Sequence, residues 1–168
     1  MITQSKKNMM EAFGGESQAN RRYLAYASKA REDGYPHIAR LFRAIAESET
    51  IHALNHLTAA GEVKSTMENL EAALKGETQE FTSMYPMFMD QAKRDADNDA
   101  LKTFFYANEA EKVHGSFYEK ALNSLKGGKD PVMDDLHICT VCGYTVEGYP
   151  PDKCPVCSAK RDKFKLVP

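Results

Sequence analysis

Two short stretches of this chain, ETIH at Glu49–His52 and EKVH at Glu111–His114, each set a glutamate three residues ahead of a histidine. On a helix this spacing brings carboxylate and imidazole to one face, where the first can bridge two cations and the second can cap one. With 14 glutamates and 5 histidines in 168 residues, random placement gives about 0.4 such pairs, so the spacing needs structural context before it counts. Taken singly, a Glu-x-x-His is usually a solvated helix face.

A third pattern is more specific. All four cysteines lie in CTVCGYTVEGYPPDKCPVC, where Cys139, Cys142, Cys154 and Cys157 form two Cys-x-x-Cys pairs eleven residues apart. Two residues between thiolates let one tight knuckle present both sulfurs to one ion, and Gly143 and Pro155 suit such turns. Disulfides are the alternative, which a cytosolic setting disfavours. A module this small needs the ion in order to fold. Spacing alone favours a structural zinc; iron in the same cage would be a one-electron carrier.

The elements that must position these residues read as four long helical segments. The first runs from about Thr3 to Arg31 and stops at Asp33-Gly34; the second begins near Pro36 and ends at Gly61. Ser65-Thr66 caps a short helical turn through Lys75, interrupted by Gly76, and a third long helix continues to about Asp95. The fourth starts at Asp97–Asp99 and reaches Leu125 before Gly127-Gly128. Short connections favour antiparallel neighbours, so the expected fold is mainly α, a four-helix bundle followed by a small β/knuckle metal module. The expected domains are residues 1–130 and 131–168, joined through KGGKDPVMDD.

Steps of three and four along each segment give the faces expected to point inward. They are Met9, Phe13, Glu16, Asn20, Tyr23 and Ala27 on the first, and Ile38, Leu41 or Phe42, Ile45, Glu49, His52 and His56 on the second. The third offers Glu77, Glu80 or Phe81, Met84 and Phe88. The fourth offers Leu101, Phe104, Asn108, Glu111, His114, Tyr118 and Leu122. Every apolar stripe is interrupted by glutamate. A buried carboxylate costs several kcal/mol unless protonated, paired or metal-bound, and the stripes carry no comparable number of Lys or Arg. Iron or manganese would compensate these acids. Glutamates from two helices with Glu-x-x-His from two others make the known carboxylate-bridged dinuclear arrangement. Glu47 and Glu109 fall off the stripes and are expected to face water, with His56 a polar core or rim residue and not a ligand.

The whole chain resembles the rubrerythrin family: GESQANRR, ESETIH, GETQEFTSMYP and EAEKVH in a ferritin-like bundle, then CTVCGY and CPVC in a rubredoxin-like tail. The resemblance implies that Glu49 and Glu111 bridge two irons. It implies that Glu16 ligates one iron, held also by either His52 or Glu80, and that Glu77 and His114 complete the other. Glu80 is the extra carboxylate that marks this family, and Tyr23 and Tyr85 match tyrosines near its cluster. Cys139, Cys142, Cys154 and Cys157 would hold a single iron, replaceable by zinc. Ser158 stands where glycine is frequent, which bears on the second knuckle but not on ligation.

What the resemblance implies for activity is a non-haem diiron peroxidase. It would reduce hydrogen peroxide to water in oxidative-stress protection, with electrons passed through the four-cysteine iron. GGES lacks the strand–turn–helix setting of a dinucleotide site, so NAD(P)H would act through a separate reductase, or through a rubredoxin. At least a homodimer is implied, in which the tail of one subunit can serve the bundle of the other. A ferroxidase or iron-storage protein is the second expectation, and a helical scaffold with a structural zinc ribbon the third. Net charge −2 and pI near 6.2 give no reason to expect nucleic acid or an anionic membrane as partner. The opening MITQSKKNMMEAFGGESQ lacks the apolar run of a signal peptide, so a cytoplasmic protein is expected.

Overall fold

The computed structural model describes residues 2–168. By backbone contacts the chain divides into two compact units, residues 1–64 and 65–168.

The first unit is a helical hairpin. Helix α1 (Gln4–Glu32) starts at Thr3, whose side chain accepts from the Lys6 amide, and α2 (Pro36–Ala59) starts with Pro36 in its first turn. Gly61, at φ 71°, closes α2: its amide bonds Thr58 O at 2.9 Å and the Glu62 amide bonds Leu57 O at 3.2 Å. This is a left-handed cap that satisfies the last carbonyls of the helix.

The seam between α1 and α2 is built from small residues. Ala39, Ala46, Ala53 and Ala60 recur every seven residues and are all buried, facing Asn20, Ala27 and Ala30 of α1. A seven-residue repeat keeps one narrow stripe in register along two packed helices. Asn20 crosses the seam, donating through Nδ2 to Ala46 O at 2.7 Å and Thr50 Oγ1 at 2.8 Å. The stripe expected to point inward on α2 lies elsewhere: Ile38, Leu41 and Ile45 are exposed, Leu41 to 60%. The reason is steric. The alanine line permits close approach of α1, and the larger side chains are left on another face of α2.

The second unit opens with α3 (Thr66–Gln79), begun by a capping box. Ser65 Oγ accepts from the Glu68 amide, and Glu68 Oε2 accepts from the Ser65 amide at 3.2 Å. Gly76 does not interrupt this helix. Its cost of about 1 kcal/mol relative to alanine is too small against the packing of α3 on α5. The irregularity comes four residues later, as a π turn over Glu80–Met84 that leads directly into α4 (Tyr85–Arg94). Pro86 explains it, because a proline inside a continuous helix lacks the N–H for the carbonyl four residues back and its ring clashes there. Widening the turn relieves that clash, and the Tyr85 amide bonds Glu80 O instead. Helix α5 (Asn98–Lys126) is capped by Asp97 Oδ1, which accepts from the Ala100 amide at 2.9 Å. Gly115 sits where a Cβ would come within 3.2 Å of the Phe81 ring, so a side chain there would push on the π turn.

The tail is a three-stranded antiparallel sheet in the order β2-β1-β3, formed by β1 (Leu136–Cys139), β2 (Thr145–Glu147) and β3 (Phe164–Leu166). It packs on α5 through Lys120, whose Nζ lies 2.6 Å from Glu147 Oε2. Among the described residues no helix is long and apolar enough to cross a membrane.

Candidate metal centres

Three groups of side chains converge on points where a cation could sit. In the first unit Glu16 of α1 meets Glu49 and His52 of α2. In the second, Glu77 of α3 meets Glu111 and His114 of α5. In the tail the four cysteines meet. Within each group the potential ligand atoms lie within 4.8 Å of one another.

The two carboxylate groups are built alike, each from one glutamate on the leading helix and Glu-x-x-His on its partner. His52 Nδ1 lies 2.9 Å from Glu49 Oε2, and His114 Nδ1 lies 2.6 Å from Glu111 Oε2 and 3.9 Å from Glu77 Oε2. Helical spacing of three produces both pairs. They differ in exposure: the His52 side chain is 51% exposed, that of His114 28%.

The electrostatics of the second group favour a cation. Burial first, then a hydrogen bond and the charge of Glu111, then the charge of Glu80, push the Glu77 carboxyl up to about 7. Glu80 is also raised, by burial and by the charge of Glu111, with His114 opposing. Glu80 sits one turn beyond Glu77, at the start of the π turn. Carboxylates crowded in this way hold protons unless a metal replaces them. Tyr85 is raised as well, by burial and by the charges of Glu80, Glu111 and Glu77, so its phenol stays neutral beside the group. Tyr23 lies against Tyr26 and Phe42, at ring-centroid distances of 6.2 Å. Neither phenol donates to a carboxylate among the described residues.

One contact has no signal in the sequence. His114 Nε2 lies 3.1 Å from Thr145 Oγ1 of β2, and that hydroxyl donates to Gly143 O at 3.3 Å. The tail therefore touches the histidine of its own chain's α5. With Nε2–H donating to Thr145, the Nδ1 lone pair is left facing Glu111 and Glu77. This is the usual way an outer hydrogen bond fixes the tautomer of a metal-binding histidine. An apolar cavity of about 360 Å³, lined by Leu70, Phe117, Tyr118 and Leu136 among others, opens beside this contact.

The cysteines are free, with Cys139 and Cys154 buried. Cys139 Sγ lies 3.6 Å from Cys157 Sγ, and Cys142 Sγ lies 3.5 Å from Cys154 Sγ. These are far from the S–S bond of about 2 Å and close to the edge of about 3.8 Å expected for a tetrahedron with metal–sulfur bonds of 2.3 Å. Burial would raise the Cys139 thiol, but amides of Val141 and Cys142 outweigh it and hold the group below its usual range. Cys142 and Cys157 are pushed up, by burial first. A cage with one favoured thiolate and reluctant neighbours is completed by a cation. The two knuckles are near-copies: the Gly143 amide bonds Cys139 O, and the Ser158 amide bonds Cys154 O, both at 2.9 Å. Gly143 has φ 82° and Ser158 φ 62°, so the serine occupies the left-handed position that favours glycine.

Comparison with known proteins matches these features along the chain. The rubrerythrin family model matches residues 7–122, and the model of the rubrerythrin rubredoxin-like domain matches residues 137–165. The chain is 39% identical to rubrerythrin-2 of Clostridium acetobutylicum over 171 residues, covering 94% of this chain and 93% of that protein. It is 34% identical to nigerythrin of Nitratidesulfovibrio vulgaris over 172 residues, covering 94% and 84%. Solved structures of nigerythrin are also similar. The mixed-valence state gives a TM-score of 0.57 at 34% identity, and the fully reduced, all-ferrous state 0.58 at 32%, each covering 99% of this chain and 88% of the other.

Proposed function

The chain belongs to the rubrerythrin family, and from that premise we propose that it reduces hydrogen peroxide to water in the cytoplasm, as an oxidative-stress enzyme fed by a separate reductase. It is a ferritin-like protein with the family's two cofactor sites, a dinuclear non-haem iron centre and a rubredoxin-like four-cysteine iron. On this reading residues 1–130 serve the iron pair and 131–168 the single iron. Glu49 and Glu111 would be shared by the pair, Glu16, Glu77 and His114 would complete it, and His52 and Glu80 would be alternative ligands of one iron. Cys139, Cys142, Cys154 and Cys157 hold the single iron.

When bound, iron in the four-cysteine cage would supply electrons one at a time and the iron pair would supply the two that, with two protons, convert hydrogen peroxide to two waters. The chain's own residues prepare this. The carboxylates neutralise the cations, and Tyr85, kept neutral by burial and by the surrounding acids, can donate a hydrogen bond. Thr145 orients His114 and links it through Gly143 to Cys142. The observation that supports the reading is that contact, from His114 Nε2 to Thr145 Oγ1, next to the knuckle of Cys139 and Cys142.

The test is anaerobic reduction of the iron-loaded protein followed by about one equivalent of peroxide. The ferric–thiolate absorption should bleach on reduction and return much faster with peroxide than with oxygen. Faster return with oxygen would support the ferroxidase alternative instead. In a Glu80→Ala variant, peroxide turnover should fall while the metal pair stays bound, checked by metal content and stopped-flow kinetics; unchanged turnover would leave Glu80 without a role. In a Thr145→Val variant, reoxidation of the thiolate iron should slow about tenfold, the scale of an outer hydrogen bond to a histidine ligand, with metal content unchanged.

A further inference from the structure

We propose that Glu147 is a positioning residue for electron transfer, the joint that holds the cysteine module against α5 so that Thr145 stays on His114. The inference rests on the reading above, that electrons pass from the module to the carboxylate–histidine site.

Strand alternation sets up the joint. Thr145 and Glu147 are two residues apart on β2, so both side chains leave one face of the strand, about 7 Å from each other. That face meets α5 at two points. Thr145 Oγ1 lies 3.1 Å from His114 Nε2, and Glu147 Oε2 lies 2.6 Å from Lys120 Nζ. His114 and Lys120 are six residues apart, about 9 Å along the helix. A single contact would leave the module free to pivot. Two contacts along the same strand and the same helix fix its direction as well as its place.

Apolar packing does not do this instead. The cavity of about 360 Å³ beside His114 has Phe117, Tyr118 and Ala121 of α5 on its helix side, and Leu136 and Thr145 on its sheet side. Across that gap the two surfaces forgo the close contacts that dispersion needs. The polar contacts are left to set the position.

Glu147 also has a third partner. Its Oε1 accepts from the Asp134 amide at 3.1 Å, and the Gly148 amide beside it donates to Asp135 O at 2.8 Å. Both oxygens of one carboxylate are therefore in use, one on the helix and one on the end of the segment that leads from α5 into β1. The hydrogen bond from Lys120 first, then that from the Asp134 amide, hold the Glu147 carboxyl below its usual range. It is charged at neutral pH. The other acids of the tail pair inside the tail, Asp152 with Arg161 and Asp162 with Lys163. Glu147 is the one that reaches out to α5.

Exchanging the two charges tests this. In iron-loaded Lys120→Glu and Glu147→Lys chains like charges face each other. After anaerobic reduction, reoxidation of the thiolate iron at saturating peroxide should be about tenfold slower in each than in wild type. The double variant restores the attraction and should recover to within about threefold of wild type. Glu147→Gln keeps an oxygen for the Asp134 amide but loses the ion pair. It should be slower by about fivefold, the upper range for a pair whose side chains are 50% and 24% exposed. Raising sodium chloride from about 0.05 to 0.5 M should slow wild type by about threefold and leave Glu147→Gln unchanged. The ferric–thiolate absorption and the reduction potential should be the same throughout, since the residue positions the module without touching its ion. Amide exchange reads the joint without turnover. With zinc in the cysteine cage, the Asp134 amide should exchange about tenfold faster in Glu147→Ala and near the wild-type rate in Glu147→Gln. Unchanged exchange in Glu147→Ala overturns the joint, and a double variant no faster than the single ones overturns the positioning role. Wild-type protein whose thiolate iron is not reoxidised by peroxide overturns the underlying reading instead, and the exchange rates then decide the joint by themselves.

Discussion

Replacing Glu111 by alanine should cost at least about 10³-fold in peroxide turnover, because on the proposed reading it removes a carboxylate shared by the iron pair, whose loss a neighbour cannot repair. Glu111 touches His114 at 2.6 Å and is a leading cause of the raised Glu77 carboxyl. The variant should fail to hold the metal pair yet keep its helix content, since relieving a crowd of acids does not unfold the metal-free protein. A second readout separates a ligand from a merely structural residue. In the metal-free wild type, Glu77 titrates near 7, well above its ordinary 4.5. A carboxyl raised in the folded state binds its proton more tightly there than in the unfolded chain. It therefore stabilises at pH below about 4.5, and this contribution is lost as pH rises through about 7. The metal-free wild type should melt progressively lower across that window. In Glu111→Ala the dependence should weaken without vanishing, because burial, the largest cause, remains. A Glu111→Ala chain that lost helicity, or retained the metal pair, would rule out the bridging role.

The candidate ligand groups that converge in the structure were legible in the sequence because helical spacing is local. Glu-x-x-His fixes a face whatever the helix packs against, and Cys-x-x-Cys fixes a knuckle from within. The helix starts at Thr3, Pro36, Ser65 and Asp97 were legible in the sequence. Gly76 misled because a propensity cost of about 1 kcal/mol yields to tertiary packing, whereas Pro86, whose clash cannot be repacked away, produced the π turn. The burial of α2 was misread because counting apolar stripes favours large residues. The seam with α1 runs instead through Ala39, Ala46 and Ala53, a seven-residue alanine repeat visible in the sequence to anyone asking for close approach. Thr145 could not have been found this way, since its meeting with His114 across 31 positions depends on where the tail docks.

Removing one cysteine should separate electron supply from peroxide chemistry. Cys154 is buried, its amide bonds Ala159 O at 2.8 Å, and its carbonyl accepts from Ser158 in the second knuckle. The tail around it has strands of only three or four residues, too little core to fold without its ion. A Cys154→Ala chain should therefore lose the ferric–thiolate absorption and the tail's sheet together, while the helices persist. Turnover driven by a reductase should fall at least about 100-fold, given the loss of the module that accepts its electrons one at a time. A chain whose iron pair has been reduced chemically beforehand should still consume one equivalent of peroxide, because Glu77, Glu111 and His114 remain in place. The comparison with Thr145→Val then isolates the contact from the module. Thr145→Val keeps the thiolate iron and slows only its reoxidation, whereas Cys154→Ala removes the iron and spares only the single turnover. If reductase-driven turnover survived in Cys154→Ala, electrons would reach the pair without the tail, and the hydrogen bond from His114 to Thr145 would be orientation alone.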